Sequence, residues 1–504
     1  MTAPGSAWLW VADSTAVLFG SLFALVWLVG GVHSYVTLPS AGKLRFFAYY
    51  LPASLGGTAT AFAGDAISFY ACFSLMSLAS WGLVTHSGTN ASRQAGAIYL
   101  ALTAFGEALL LAGLVALSSA AGNTELNAFV NLAPSTGATF GAALVLGAVG
   151  VKIGALPLIG ILPLTYATAP AGAAAALAGA STKVAALTLV RLLPFGALPV
   201  AVSEAVMVAG LATTFVAVAV GLFAVSARGV LGYSSASQMG LVMLAAGSGL
   251  ADSAATELAR GAILTLALHH GFAKAALMLG SDVVPGLSPG MRRLGTALLA
   301  LPALALVGVP LTTGFAAKYA LKDVLLALSG VLPETVYALL PWTGVGTALL
   351  MLRFFRVLAN ERTAARSAAA WPGWVVLLLA TASAAWLWPG AAGQAAERGM
   401  LAVPALVTAL WPGLLAVMLV VALRLARVRP PRWNVKPGDL LLLAPLAVGA
   451  ADAALALPRS RRPMRDRSAL PALLLRAERV WVSWPVAATA FVVFVLALSA
   501  LTAG

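Results

Sequence analysis

The chain has 504 residues, 61% of them hydrophobic and 9% charged, with a net charge of +14 and a mean hydropathy of +0.96. A water-soluble fold of this size has nowhere to hide so much apolar surface, so the composition excludes an ordinary cytosolic enzyme and specifies an integral membrane protein. The positive balance does not point to nucleic acid, because Lys and Arg gathered in cytoplasmic loops are its ordinary source in a membrane protein.

A spanning helix takes ~20 apolar residues, and with short loops the chain has room for roughly fifteen. Apolar stretches fall at 14–34, 42–63, 65–85, 94–118, 137–160, 170–192, 196–226, 229–249, 258–280, 294–328, 335–357, 371–388, 400–425, 438–457 and 480–502. The expected fold class is all-α and polytopic, with 14 or 15 transmembrane helices. Met1 to Asp13 lacks a basic n-region and runs directly into the first stretch, so no cleavable signal peptide is expected. Cys72 is the only cysteine, which excludes an intrachain disulfide and a thiolate cluster built from this chain alone. Iron–sulfur or zinc chemistry would have to sit on a partner.

The stretches 137–160 and 294–328 differ from the others. Pro157, Pro163 and Pro310, with Gly150, Gly154, Gly308 and Gly314, interrupt them. An interruption frees backbone groups that hydrocarbon does not satisfy, so it survives only where protein or a watery cavity surrounds it. Broken helices at comparable places in two halves suggest inverted repeats, with an ion site near each break.

Lys43 and Arg45, Arg93, Arg228, Arg292 with Arg293, and the group Arg353, Arg356, Arg362 and Arg366 fall on one side if the helices simply alternate. By the positive-inside rule that side is the cytoplasm, which leaves the N-terminus outside. Both Arg424–Lys436 and Arg459–Arg479 are basic, so the segment 438–457 between them, with Asp439 and Asp452, is expected not to cross fully.

Charges at bilayer depth are costly and tend to mark an ion or proton path. Lys152 stands beside the first break, Lys183 in the helix after it, His270 and Lys274 one turn apart, Lys318 beside the second break, and Glu107 well inside its helix. A row of such groups joined by water relays protons, whereas a single lysine is as well explained by snorkelling. His270 and Lys274, spaced i, i+4, share a face. No second His or Cys stands at ligand spacing from His270 except His269, which is expected to point elsewhere, so no metal or other cofactor is expected. His33 and His86 lie near helix ends and are expected to be interfacial. No nucleotide loop or catalytic triad stands out.

The string KIGALPLIGILPLTYATAPAGAAAALAGASTKVAALTLVRL, Lys152 to Leu192, is followed in order by GYSSASQMG at Gly232–Gly240, HHGFAKAALML at His269–Leu279 and GVPLTTGFAAK at Gly308–Lys318. Together with FSLMSLASW at Phe73–Trp81, these motifs resemble the antiporter-like subunits shared by complex I, membrane-bound hydrogenases and multisubunit cation/proton antiporters. The similarity covers about residues 8–360. The resemblance implies two inverted five-helix repeats, at 42–192 and 193–360, each carrying a half-channel. The region 1–41 would be an N-terminal helix and 361–504 a set of C-terminal helices with basic loops. Lys152 and Lys183 would serve the first half-channel, and His270, Lys274 and Lys318 the centre and the second. The chain would relay protons, or exchange protons for sodium, in the cell's inner membrane, beside other membrane subunits and a soluble redox module of the hydrogenase or NADH dehydrogenase type. It would do no redox chemistry itself. A non-conducting structural subunit and the membrane partner of an inorganic-carbon uptake complex are the alternatives.

Three departures stand out. Ser74 occupies the place of the family's glutamate, which pairs with the lysine at the position of Lys152. Ile159 and Leu164 stand where the family has His and Asp. The chain is also expected to begin at the family's third helix. Glu107, on the next helix, is the candidate to replace the missing charge.

Overall fold

A computed structural model describes residues 9–361, 370–387, 399–427 and 435–436. Among them the chain is helical throughout, with only isolated β-bridges such as Trp10 to Ala63. The helices are α1 (Ser14–Thr37), α2 (Ser40–Thr60), α3 (Ala66–Val84), α4 (Asn90–Ala121), the short α5 (Leu126–Val130), α6 (Thr136–Ile153), α7 (Ile161–Thr168), α8 (Ala171–Gly179), α9 (Val184–Leu192), α10 (Val200–Gly221), α11 (Ala227–Leu250) and α12 (Thr256–Val283). After these come α13 (Pro289–Val307), α14 (Thr313–Leu326), α15 (Val331–Asn360), α16 (Trp371–Leu387) and α17 (Val403–Leu425). Ten elements among the described residues are long and apolar enough to cross a membrane, so this is a multi-pass membrane protein. The segments 438–457 and 480–502 lie outside the described residues.

Local sequence sets where the helices start and stop. Asp13, Asp65, Thr89, Ser135, Ser226 and Thr312 each accept a first-turn backbone N–H through the side chain, the usual N-cap arrangement. Gly122, Gly154 and Gly308 end α4, α6 and α13 in the left-handed region, with φ of 72°, 66° and 87°, where a Cβ is disfavoured.

Helix α12 runs through the middle and packs on α1, α8, α11, α13, α14 and α16. Every residue of α11 except Arg228 is buried, and so is Ala171–Leu192 apart from Arg191, whereas α17 is mostly exposed. Close approach at the centre depends on absent side chains. A Cβ on Gly179 would stand 2.8 Å from Gly271 O, and one on Gly30 would stand 2.6 Å from Gly172 O. Small residues at such crossings let membrane helices gain dispersion contacts that lipid does not supply.

Both expected breaks are present. Residues 154–160, with Pro157, separate α6 from α7, and residues 308–312, with Pro310, separate α13 from α14. Pro163 lies in the first turn of α7 rather than in the gap, a place where its missing N–H costs nothing. The freed backbone groups are satisfied locally: Ala155 N donates to Gly150 O at 2.8 Å, and Leu156 N donates to Thr213 Oγ1 of α10 at 3.2 Å. The stretch 170–192, expected as one helix, carries an interruption of its own, a 3-10 turn at Ser181–Lys183 between α8 and α9.

Candidate functional site: a buried row of lysines and histidines

Three lysines stand at the C-terminal ends of interrupted helices. Lys152 occupies the last turn of α6. Lys183 Nζ donates to Ala178 O near the end of α8 at 2.5 Å, and Thr182 Oγ1 donates to Leu177 O at 2.8 Å. Lys318 Nζ donates to Val307 O, the last residue of α13, at 2.6 Å. Such a terminus has orphan carbonyls and the negative end of the helix dipole, so a cationic donor fits there. Lys274 is different: it sits mid-helix in α12, and its Nζ reaches across to Leu231 O of α11 at 3.0 Å. Lys183 and Lys274 have no exposed surface.

Around Lys152 the helices leave a cavity of about 40 Å³, lined by Lys152, Glu107, Ser77, Tyr99, Tyr166 and Thr182 among others. It is large enough and polar enough to admit water. Lys152 Nζ donates to Ser77 Oγ at 2.8 Å and lies 5.1 Å from the centre of the Phe73 ring. Glu107 is 6% exposed, and its Oε1 has no hydrogen-bond partner; neither has Ser74 Oγ. Opposite, the Tyr166 hydroxyl and Thr182 Oγ1 are 2.7 Å apart, which carries the polar wall to the turn that holds Lys183. Ile159 and Leu164 are both buried, so apolar packing stands at those two positions.

Lys183, Lys274 and His270 are within electrostatic reach of one another. Neither ring nitrogen of His270 has a partner, although the residue is 1% exposed. His269 faces away from His270, towards α14. Its Nδ1 is 2.9 Å from Thr313 Oγ1 at the start of α14, and it is within electrostatic reach of Lys318. Adjacent helical residues do face different ways, but α12 is enclosed on all sides, so both directions end inside the protein. His33 also departs from expectation: it is 2% exposed and its Nε2 is 3.2 Å from Asp282 Oδ2.

The glycines of GVPLTTGFAAK shape the end of the row. A Cβ on Gly308 would stand 2.9 Å from Lys318 Cδ, and one on Gly314 would overlap Ala305 O and stand 2.8 Å from His269 Cε1. Lys318 then faces a groove of about 240 Å³ between α14, α15 and α17, where Lys322, Tyr319, Tyr337 and Trp411 also lie. Glu107 and the five basic residues named from sequence thus lie in order from α4 to α14. Ser77, Tyr166 and Thr182 were not singled out by sequence, and His269 was weighed only as a metal ligand; Ser77 follows Ser74 by three residues on the same face of α3, which is the signal that would have found it. No group of three His, Cys, Asp or Glu stands together among the described residues.

Residues 63–339 match the family model described as "NADH:quinone oxidoreductase/Mrp antiporter, TM". The chain belongs to that family. The NADH:quinone oxidoreductase/Mrp antiporter match covers α3 to α14 in full and so includes the whole row. Among curated relatives, NADH-quinone oxidoreductase subunit N of Deinococcus radiodurans is 32% identical over 176 residues, 32% of this chain and 34% of that one. Subunit N of Heliobacterium modesticaldum is 29% identical over 166 residues, 32% and 35% of the two chains. The matches thus span about a third of the length of these relatives. A chain in the structure of the Mrp complex from Dietzia sp. DQ12-45-1b superposes with a TM-score of 0.67 at 19% identity, covering 81% of this chain and 87% of that one. One in the archaeal membrane-bound sulfane sulfur reductase gives 0.63 at 19%, covering 76% and 82%. At that identity the likeness is one of fold.

Proposed function

We propose that this antiporter-like subunit moves protons along the buried row, from the Glu107/Lys152 cavity through Lys183, His270, Lys274 and His269 to Lys318. The observation that carries the reading is that ionisable groups inside a membrane protein recur at helix interruptions and within reach of one another, an expensive arrangement for a merely structural core. Each lysine changes protonation by exchanging a proton with a neighbour or with water in the cavity; the unpartnered nitrogens of His270 supply both a donor and an acceptor position at the centre. In this reading the halves 42–192 and 193–360 are inverted repeats, each with one proline-marked break.

The same reading makes the chain one subunit of a larger inner-membrane complex, with other membrane subunits beside it and a redox module on separate chains driving transport. The basic ends, with Arg45, Arg93, Arg228, Arg292 and Arg353, face the cytoplasm and the N-terminus faces outward. Sodium is a second candidate ion. The test is reconstitution: the complex, purified through a tag on this chain and placed in vesicles, should acidify or alkalinise the lumen when its electron donor is supplied. Ion flux absent from a fully assembled and redox-active complex would instead make the chain a non-conducting scaffold.

A further inference from the structure

Away from the row, the basic end of α12 holds a second cluster of ionisable side chains. Asp282, in the last turn of α12, is 2% exposed. His33 of α1 places Nε2 3.2 Å from Asp282 Oδ2, and Arg228 of α11 places Nη2 3.8 Å from Oδ1. Arg228 also donates through Nη1 to Ala169 O at 2.8 Å, and its side chain keeps 24% of its surface exposed. The cluster is therefore closed on the His33 and Asp282 side and open to the surface through the guanidinium. His33 Nδ1 is buried and has no hydrogen-bond partner. One nitrogen of the ring thus faces a carboxylate while the other is free to bind or release a proton.

The cluster is aligned with the row. Arg228 and Leu231 are three residues apart on α11 and share a face, and that face meets α12 at Asp282 and at Lys274. Asp282 and Lys274 are two turns apart on α12, ~12 Å along the axis. Helix α16 and the turn Val284–Gly286 carry no ionisable residue, Arg292 of α13 donates to the carbonyls of Leu358, Ala359 and Glu361, and Arg293 is exposed.

We infer that His33 and Asp282 form a proton-exchange pair linking the basic face to Lys274, an inference that rests on the proton-relay reading above. The step is an ordinary transfer. A proton binds at His33 Nδ1 and the Nε2–H bond breaks, so the ring begins and ends neutral; the proton released forms an O–H bond on Asp282 and converts carboxylate to carboxylic acid. Water along the α11–α12 seam carries the proton onward to the Lys274 amine. Arg228 is a positioning residue: it holds the carboxylate towards the seam.

Asp282→Asn keeps the shape and removes the exchangeable proton, whereas Asp282→Glu keeps the acid. In the reconstituted complex, Asp282→Asn is expected to slow proton flux roughly tenfold or more, with a flattened dependence on the pH of the basic side, while Asp282→Glu retains most of the flux. His33→Gln should reproduce the Asn variant. Assembly is checked by co-purification of the other subunits, and redox turnover by electron transfer. Asp282→Asn or His33→Gln with the parental rate and pH profile overturns the pair, as does equal loss of flux in Asp282→Asn and Asp282→Glu with assembly intact. If the parent complex itself moves no protons, the relay reading fails; if the parent pumps and Asp282→Asn pumps equally, only the pair fails.

Discussion

Glu107 on α4 and Lys152 on α6 line one cavity, and Lys152 Nζ makes its hydrogen bond to Ser77 rather than to the carboxylate. The family's glutamate position, Ser74, is on the same helix as Ser77 and leaves its hydroxyl unpartnered. A carboxyl group therefore still faces this lysine, from a neighbouring helix. Opposite charges ~7 Å apart interact by roughly 2 kcal/mol at an effective dielectric of ~20.

Glu107→Gln should impair proton flux in the assembled complex. Combining it with Ser74→Glu should restore part of the rate if, as the proposed relay requires, a charge near Lys152 matters more than its chain position. Parental flux in Glu107→Gln, or no recovery in the double variant, refutes compensation.

Lys274→Ala and Lys318→Ala should each reduce coupled transport by about a hundredfold while the complex still assembles. Lys318 borders the groove between α14, α15 and α17, so its loss leaves Val307 O without its lysine donor but no buried cavity of core size. Stopped-flow pH measurements on vesicles check this; undiminished pumping in both variants removes them from the relay.

Gly308→Ala tests the break itself. The residue has φ of 87°, and its new Cβ would press on Lys318 Cδ. The conformational cost alone is roughly 1–2 kcal/mol, and displacement of the lysine adds a functional one. Transport should fall by more than thermal stability does, which a paired flux and unfolding measurement decides.

At the opposite end from the basic loops, Arg191 grips Asp13 through two hydrogen bonds, at 2.5 and 2.7 Å. Partial burial by itself would raise the Asp13 carboxyl, but the hydrogen bonds from Arg191 and Ala16 outweigh it and hold the group below its usual 3.8. A depressed folded-state value means that the stabilisation is present above the unfolded value and lost as pH falls through the folded one. Since Asp13 is 42% exposed, the contribution stays below about 1 kcal/mol. Asp13→Asn should lower the unfolding temperature slightly at pH 7, with the difference disappearing as pH falls through the depressed Asp13 value.

The two proline-marked breaks were legible because proline removes a donor and glycine admits the left-handed cap, both local properties. The turn at Ser181–Lys183 was not. No proline marks it: Lys183 and Thr182 bond back to the carbonyls of Ala178 and Leu177, and the Tyr166 hydroxyl meets Thr182 from α7. His269 and Asp282 escaped for a related reason. Reading a helix by its faces presumes an outer side, and α12 has almost none. Likewise, His33 lies close enough to the end of α1 to read as interfacial, yet α12 reaches over it with Asp282. Periodicity carried the element positions; which neighbour covers a polar group was carried by the packing of distant segments.

Helix α11 has a consequence beyond transport. It is buried from Gly229 to its end and carries Ser234, Ser235, Ser237, Gln238 and Ser248, and it is not among the segments apolar enough to cross a membrane unaided. Gln238 finds Thr347 of α15, synthesised more than a hundred residues later, at 3.0 Å. During biosynthesis this segment therefore leaves the translocon poorly suited to lipid and depends on companions, first α10 and then α12, to shelter it until α15 arrives. The polarity that suits α11 to the centre of the finished molecule makes its insertion a cooperative event, and truncation before α15 should expose a degradation-prone intermediate.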